Sequence, residues 1–168
     1  GHQVWVLTRD PRQVRVSAGT QVAAWDGRTA AGWGELVNQM DAVVNLAGRS
    51  LSTWPWTQAN KQSFWDSRVD AGRAVAEAVS QADRRPKVLI QASGIGHYGL
   101  SGSPADESTP PADDFAARLT VAWEDATRSI EELGVRRVII RTAVVLGKEG
   151  GMFRLMALPV RLFAGGPI

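Results

Sequence analysis

Five short apolar runs, each closed by a polar or glycine-bearing turn, constrain this chain more than any other feature. Residues 3–8 (QVWVLT) are closed by Arg9-Asp10-Pro11, and residues 20–25 (TQVAAW) by Asp26-Gly27. Residues 42–46 (AVVNL) are closed by Ala47-Gly48; residues 87–92 (KVLIQA) and 136–141 (RRVIIR) follow later. Runs this apolar predict strands buried on both faces of a parallel sheet. Between the later runs, apolar residues return every three or four positions. In residues 57–82 the positions Phe64, Ala71, Val75, Ala78, Val79 and Ala82 share one helical face. In residues 113–133, Phe115, Leu119, Ala122, Ala126, Ile130 and Leu133 do the same. Such stripes predict helices laid on the sheet. Each ends at a turn signal, Arg85-Pro86 and Gly134. Strand–helix–strand alternation predicts an α/β fold with a doubly wound parallel sheet. With no repeat, low-complexity tract or linker, residues 1–168 read as one domain. Both ends have the character of mid-domain sequence, and Gly1-His2 reads as the turn after an upstream helix.

Composition removes several functions. At 44% hydrophobic and 21% charged, the 168 residues are globular in character and long enough to bury a core. Without cysteine there is no disulfide framework, thiolate zinc site or cysteine nucleophile. His2 and His97 are the only histidines, so no metal site is expected. No apolar run is long enough to span a bilayer, and the first residues do not read as a signal peptide. The net charge is only +2, with no concentrated basic patch. Neither a membrane nor a nucleic acid is therefore an expected partner, and a cytoplasmic location is expected. A small-molecule substrate is expected instead; homo-oligomerisation is left open.

The polar residues cluster where such a fold binds ligands. Open α/β sheets hold them outside the carboxyl ends of the strands. Those ends carry Arg9, Asp26, Asn45, Leu46, Ala47, Gly48, Ser93, Arg141 and Thr142. In a dinucleotide fold the residue after the second strand meets the adenosine ribose. An acid there takes the 2′-hydroxyl of NAD, whereas an arginine accommodates the 2′-phosphate of NADP. Arg9 thus predicts NADP in preference to NAD; the neighbouring Asp10 counts against it, and the plain alternative is a solvated turn arginine. Ala47 and Gly48 would let a ligand approach the backbone, or make an ordinary tight turn. Asn45 would bond a ribose or the backbone of a neighbouring strand.

Arg68 falls on the apolar face of the first helical stripe, between Phe64 and Ala71. A buried arginine must be paired or face a polar cavity, so it would hold an anion or snorkel to water. Trp54, Trp56 and Trp65 make either pocket walls or core filler. Residues 94–99 match G-x-G-x-x-G, but the following Leu100-Ser101-Gly102-Ser103-Pro104 opens no helix, so this is not the phosphate fingerprint. Ser93 and His97 lie four apart, yet Gln91 and Ile95 replace the glycines of a nucleophile elbow, which argues against a serine hydrolase.

Several segments occur in one order: Arg9 after Leu-Thr, NLAG at 45–48, Ser67-Arg68, S-x-x-x-x-Y-G at 93–99, RTAVVLG at 141–147, Gly150-Gly151 and Gly165-Gly166-Pro167-Ile168. In this the chain resembles the atypical, extended-type short-chain dehydrogenase/reductases of the nucleoside-diphosphate-sugar epimerase-like group. The resemblance implies a Rossmann-type core binding NADP(H). Its first strand and glycine-rich loop would lie upstream of Gly1, and a substrate lobe beyond Ile168. Carried over by motif, Arg9 would bind the 2′-phosphate. Asn45, Leu46, Ala47 and Gly48 would line the adenosine and ribose path, Ser93 would lie beside the nicotinamide, and Arg141 and Thr142 would flank cofactor or substrate.

The superfamily's acid/base pair, Tyr-x-x-x-Lys, is absent. Tyr98 is the only tyrosine, Gly102 stands four residues on, and the lysines are Lys61, Lys87 and Lys148. Aligned on Glu124, the second helix carries Ala116 and Thr120 where that pair would stand. Two readings follow. One is an NADP-dependent epimerase or oxidoreductase with a non-standard acid/base among Ser93, His97 and Tyr98, and with Trp56, Lys61 and Arg68 contacting substrate. The other is a non-catalytic NADP(H)-binding protein that regulates or binds a partner. In the resembling fold the upstream strand lies between the first and third strands seen here. Residues 1–168 alone are thus expected to be unstable, and a cooperative melt of the isolated monomer would count against this.

Overall fold

The computed structural model describes residues 1–100, 103–145, 157–159 and 161. Gly102, Lys148, Gly150-Gly151, residues 165–168 and the last two residues of the RTAVVLG segment lie outside them. All five apolar runs form strands: β1 Trp5–Thr8, β2 Gln21–Ala24, β3 Ala42–Asn45, β4 Val88–Gly94 and β5 Arg136–Thr142. Every pairing is parallel. The strands form two ladders, one with β2 beside β1 and one in the order β3-β4-β5. Thr8 stands opposite Ala24, Asn45 opposite Gln91 and Ser93 opposite Arg141. β1 and β3 each keep one unpaired edge among the described residues. The two ladders nonetheless rest on one core. Leu7 of β1 and Val43 of β3 pack against the cluster that holds Trp33, Val37, Val79 and Leu89.

Two helices cover one face of the three-stranded ladder. Helix α1 (Gln58–Gln81) begins where the Thr57 side chain accepts the Asn60 N–H, an N-cap that satisfies one orphan donor. It buries Phe64, Ala71, Val75, Ala78 and Val79, five of the six residues of the expected stripe. Helix α2 (Phe115–Asp125) is capped the same way by Asp114, which accepts the Ala117 N–H at 2.8 Å. The reverse face is half-open: Val44 is 53% and Ile140 47% exposed. Full burial is confined to the helix-facing residues of the middle of the ladder, Asn45 of β3 and Leu89, Gln91 and Ser93 of β4, so the expected burial on both faces is not found.

The second helical stripe does not run as one helix. The α-helix stops at Asp125, and Arg128–Leu133 form a 3-10 helix closed by Gly134 at φ 76°. The cause lies at the Glu124 carbonyl, which a continuing α-helix would offer to the Arg128 N–H. Here that carbonyl accepts Nη1 of Arg137 at 2.7 Å and the Thr127 hydroxyl at 3.3 Å. The two helices also meet almost backbone to backbone. A Cβ at Gly72 of α1 would lie 2.6 Å from the Ala126 Cβ. Periodicity also gave no sign of the 3-10 segment Gly34–Gln39, which supplies Val37 to the core.

Gly72→Ala is expected to force these helices apart and cost about 1–3 kcal/mol. In a thermal melt of the full-length protein this would lower Tm by several degrees; an unchanged Tm would show that the contact gives way freely.

Candidate cofactor and active site

A cavity of about 810 Å³ opens at the carboxyl ends of β1, β2 and β3, bounded on its far side by the first turns of α1. That volume suits a small-molecule site. Of the residues expected to meet a cofactor, Arg9, Asp26, Leu46, Ala47 and Gly48 line it, joined by Trp25, Arg28 and Arg49. Asn45, Arg141 and Thr142 do not.

Asn45 is buried and serves the neighbouring chain. Its amide donates to Oε1 of Gln91 at 2.9 Å, and its Oδ1 accepts the Ala47 N–H at 3.1 Å. It thereby fixes the turn that brings Ala47 and Gly48 to the cavity wall. Gly48 has a steric reason to be glycine. A Cβ there would sit 3.0 Å from Cζ of Arg68. Arg68 is 7% exposed, and its Nη1 donates to the carbonyls of Arg49 (3.0 Å) and Phe64 (3.2 Å). Its guanidinium lies 4.7 Å from the centre of the Trp123 ring, a cation–π contact. Desolvation pulls its pKa down to about 10, so it stays charged at neutral pH. Arg68 does not line the cavity; it braces from beneath the loop that does.

The acids in the turns after β1 and β2 bond their own loops. Oδ1 of Asp26 accepts the N–H groups of Arg28 (2.7 Å) and Thr29 (2.8 Å), and its Oδ2 accepts the Thr29 hydroxyl at 2.8 Å. These donors hold the Asp26 carboxyl below the usual carboxylate range. Asp10 likewise accepts the Arg12 N–H at 3.1 Å. Both are Asx turns, in which a carboxylate shapes its own loop.

A second polar cluster joins β4, β5 and α2. Arg141 grips Glu124 with two hydrogen bonds, Nε to Oε1 and Nη2 to Oε2, each 2.9 Å. Its Nη1 donates to the Tyr98 hydroxyl oxygen at 2.9 Å. The Ser93 hydroxyl donates to Oε1 of Glu124 at 2.6 Å. Ser93 thus gives its proton to Glu124 and not to His97, which disposes of the serine–histidine pairing. His97 is buried, with its ring edge-on to Tyr98 and no hydrogen bond at Nδ1. Sequence reasoning used Glu124 only as a register mark. Its spacing from Ala117 and Thr120, both buried on the same face of α2, was the signal that could have found it. Thr120 spends its hydroxyl on the Ala117 carbonyl, and Ala116 lies against Gly96, so neither offers an acid or base.

The expected substrate residues divide. Trp56 packs edge-on between Phe64 and Phe115, with centroids 5.8 Å away in each case. The Lys61 ammonium stands 5.2 Å from the Phe115 centroid, so Trp56 and Lys61 share one wall between the starts of α1 and α2. Arg68 is apart from them, and Trp54 is 82% exposed. Among the described residues no group of His, Asp and Glu is placed to hold a metal, and no helix is long and apolar enough to cross a membrane.

Burial pushes the Glu124 carboxyl up, but the hydrogen bonds and charge of Arg141 and the bond from Ser93 outweigh it and hold it below its ordinary 4.5. A depressed carboxylate contributes stability above its unfolded pKa and loses it as pH falls through the folded value. Glu124→Gln is expected to cost about 3 kcal/mol at neutral pH, because Arg141 loses its counter-charge. The cost should begin to shrink as pH falls below about 4.5, where the unfolded chain protonates first, and be lost once pH drops below the depressed folded value and wild-type Glu124 is protonated as well. Thermal melts of both proteins from pH 7 to pH 3 measure this, and a pH-independent difference would refute it.

Comparison with known proteins places this geometry. Residues 1–164 match the model of the NAD dependent epimerase/dehydratase family. The chain is 36% identical over 170 residues to epimerase family protein YfhF of Bacillus subtilis, covering all of this chain and 55% of that protein. The crystal structure of human epimerase family protein SDR39U1 with NADPH superposes with a TM-score of 0.79 at 33% identity, covering 99% of this chain and 54% of that one. A nucleoside-diphosphate sugar epimerase from Corynebacterium glutamicum gives a TM-score of 0.68 at 27% identity, over 89% of this chain and 33% of that one. The chain spans about half the length of the relatives it matches. With its parallel, Rossmann-like strands and the cavity at their carboxyl ends, it belongs to the NAD dependent epimerase/dehydratase family.

Proposed function

We propose that this protein binds NADP(H) across the strand-end cavity and acts, as an epimerase or reductase, on a sugar nucleotide or another small molecule bearing a carbonyl or hydroxyl. Residues 1–168 are then the greater part of its cofactor-binding domain. The observation that carries this reading is Arg9, whose guanidinium lines the cavity with no hydrogen bond or ion pair among the described residues. A relative with the same fold was crystallised with NADPH. The cavity fits such a cofactor: its wall at Ala47 and Gly48 is backbone, and a positive charge stands at one end. Bound there, the cofactor supplies hydride acceptance and donation.

The chain's own residues bind, orient and move a proton. Arg9 meets the phosphate charge. Asn45 and Arg68 hold the loop that forms the wall. Tyr98 is the acid/base this geometry favours. Arg141 donates to its oxygen, so the phenol's own proton points elsewhere and is free for a substrate oxygen. Ser93 and His97 support it, one through Glu124 and the other through the ring contact with Tyr98. Trp56 and Lys61 offer an apolar wall and a cation to the substrate.

One observation favours a second reading. Ala116 and Thr120 occupy the helix positions of the usual acid/base pair, and neither can replace it. A protein that binds NADP(H) and regulates or engages a partner without catalysis needs no such pair.

Titration of the full-length protein with NADPH and NADH, followed by tryptophan fluorescence, is expected to show tighter NADPH binding that Arg9→Ala abolishes. Equal affinity for both, or binding of neither, would overturn the assignment. Hydride transfer to a panel of carbonyls and sugar nucleotides, lost in Tyr98→Phe, would support the catalytic reading. Tight binding with no transfer across the panel would support the second.

A further inference from the structure

The rim of the cavity carries a second arginine that the family pattern does not assign. β1 and β2 are neighbours, with Thr8 opposite Ala24. Arg9 follows Thr8 at once, and Arg28 stands four residues beyond Ala24. Both line the same cavity and are exposed, and neither guanidinium makes a hydrogen bond or ion pair among the described residues. Each has an acid close by in its own turn, Asp10 for Arg9 and Asp26 for Arg28, yet neither acid makes a contact ion pair with it; the Arg28 charge reaches Asp26 only as the last of the influences that lower its pKa.

The reason is local. Asp26 engages both carboxylate oxygens within its turn, taking two N–H groups and one hydroxyl. One of those N–H groups belongs to Arg28 itself, so the bond fixes the backbone from which the Arg28 side chain departs. Asp10 is used by the Arg12 N–H. In each turn the acid faces in and the base is left to the cavity.

We infer that Arg28 is the second arm of a two-arginine clamp on the 2′-phosphate of NADP(H), with Asp26 as its positioning residue. The inference rests on the NADP(H) reading above and adds to it the source of coenzyme choice. A dianionic phosphomonoester takes charge-assisted hydrogen bonds from two guanidinia better than from one. The same arrangement disfavours NAD(H). Its free 2′-hydroxyl is held by a carboxylate in folds of this kind; the carboxylates in the turns after β1 and β2, Asp10 and Asp26, already accept backbone donors, and Asp66 on the far wall accepts the Gln62 side-chain amide. Discrimination thus has an attractive and a withheld component.

The test uses the full-length protein and fluorescence titration with NADPH and NADH. Arg28→Ala is expected to weaken NADPH binding about tenfold to a hundredfold, the loss of one hydrogen-bonded charge contact, with NADH binding little changed. Arg28→Lys should fall between the two. Asp26→Ala should weaken NADPH selectively, and the double variant should be no weaker than Arg28→Ala alone, because Asp26 acts through Arg28. Selectivity is the readout that a merely structural role would not move. If Arg28→Ala binds both coenzymes as wild type does, or weakens both equally, the clamp is wrong. If Arg9→Ala abolishes NADPH preference while Arg28→Ala does not, the clamp alone falls and the NADP(H) reading stands. If wild-type protein binds neither coenzyme, or binds NADH as well as NADPH, that reading falls and takes the clamp with it.

Discussion

The ion pair between Arg141 and Glu124 is the constraint around which the active end of this fold is arranged. It ties the last turn of α2 to the end of β5. Through its remaining donor and acceptor sites it also fixes the Ser93 hydroxyl on β4 and the Tyr98 phenol in the turn beyond. Side chains from four segments thus share one pair of charges. Neither charge is well solvated, since the arginine side chain is 19% and the glutamate 12% exposed. Taking such charges out of water is costly, and the bidentate geometry with its extra hydrogen bonds is what offsets that cost. Removing either partner would leave the other buried without compensation.

The cavity half of the site follows a different rule. There the polar groups around the wall are satisfied by one another, some within short turns and some across neighbouring segments, so that selected groups stay free. Asn45 serves Gln91 and Ala47, Asp26 serves Arg28 and Thr29, and Arg68 serves two carbonyls. What the wall offers a ligand is the bare backbone of Gly48 and, at the rim, the guanidinia of Arg9 and Arg28, which make no hydrogen bond among the described residues. A ligand of matching charge and length completes such a surface, whereas the Arg141–Glu124 pair has its charges matched without one.

The strands were legible in the sequence because each apolar run ends in a turn signal, and the observed limits fall within about two residues of those expected. The buried face of α1 was legible for the same reason, including the anomaly at Arg68. The break in the second helical stripe was not. It depends on Arg137, thirteen residues beyond Glu124, reaching back to a carbonyl that local periodicity treats as helical. Glu124 was equally hidden, because a carboxylate on a helix reads as solvent-facing until its partner on β5 is brought beside it. The inward turn of Asp26 could not be weighed against a ribose contact before the hydrogen bonds of its loop were known. Long-range pairing and the direction of short polar side chains were thus the two things the one-dimensional pattern left open.

The ladders β2-β1 and β3-β4-β5 share a hydrophobic floor but, among the described residues, no backbone hydrogen bond. The cavity straddles them, with Arg9 and Arg28 on one bank and Leu46, Ala47 and Gly48 on the other. A molecule lodged against both banks works as a strut as well as a guest. How well the spacing of the banks fits it sets its affinity, and by the reciprocity of linked equilibria its binding favours that spacing.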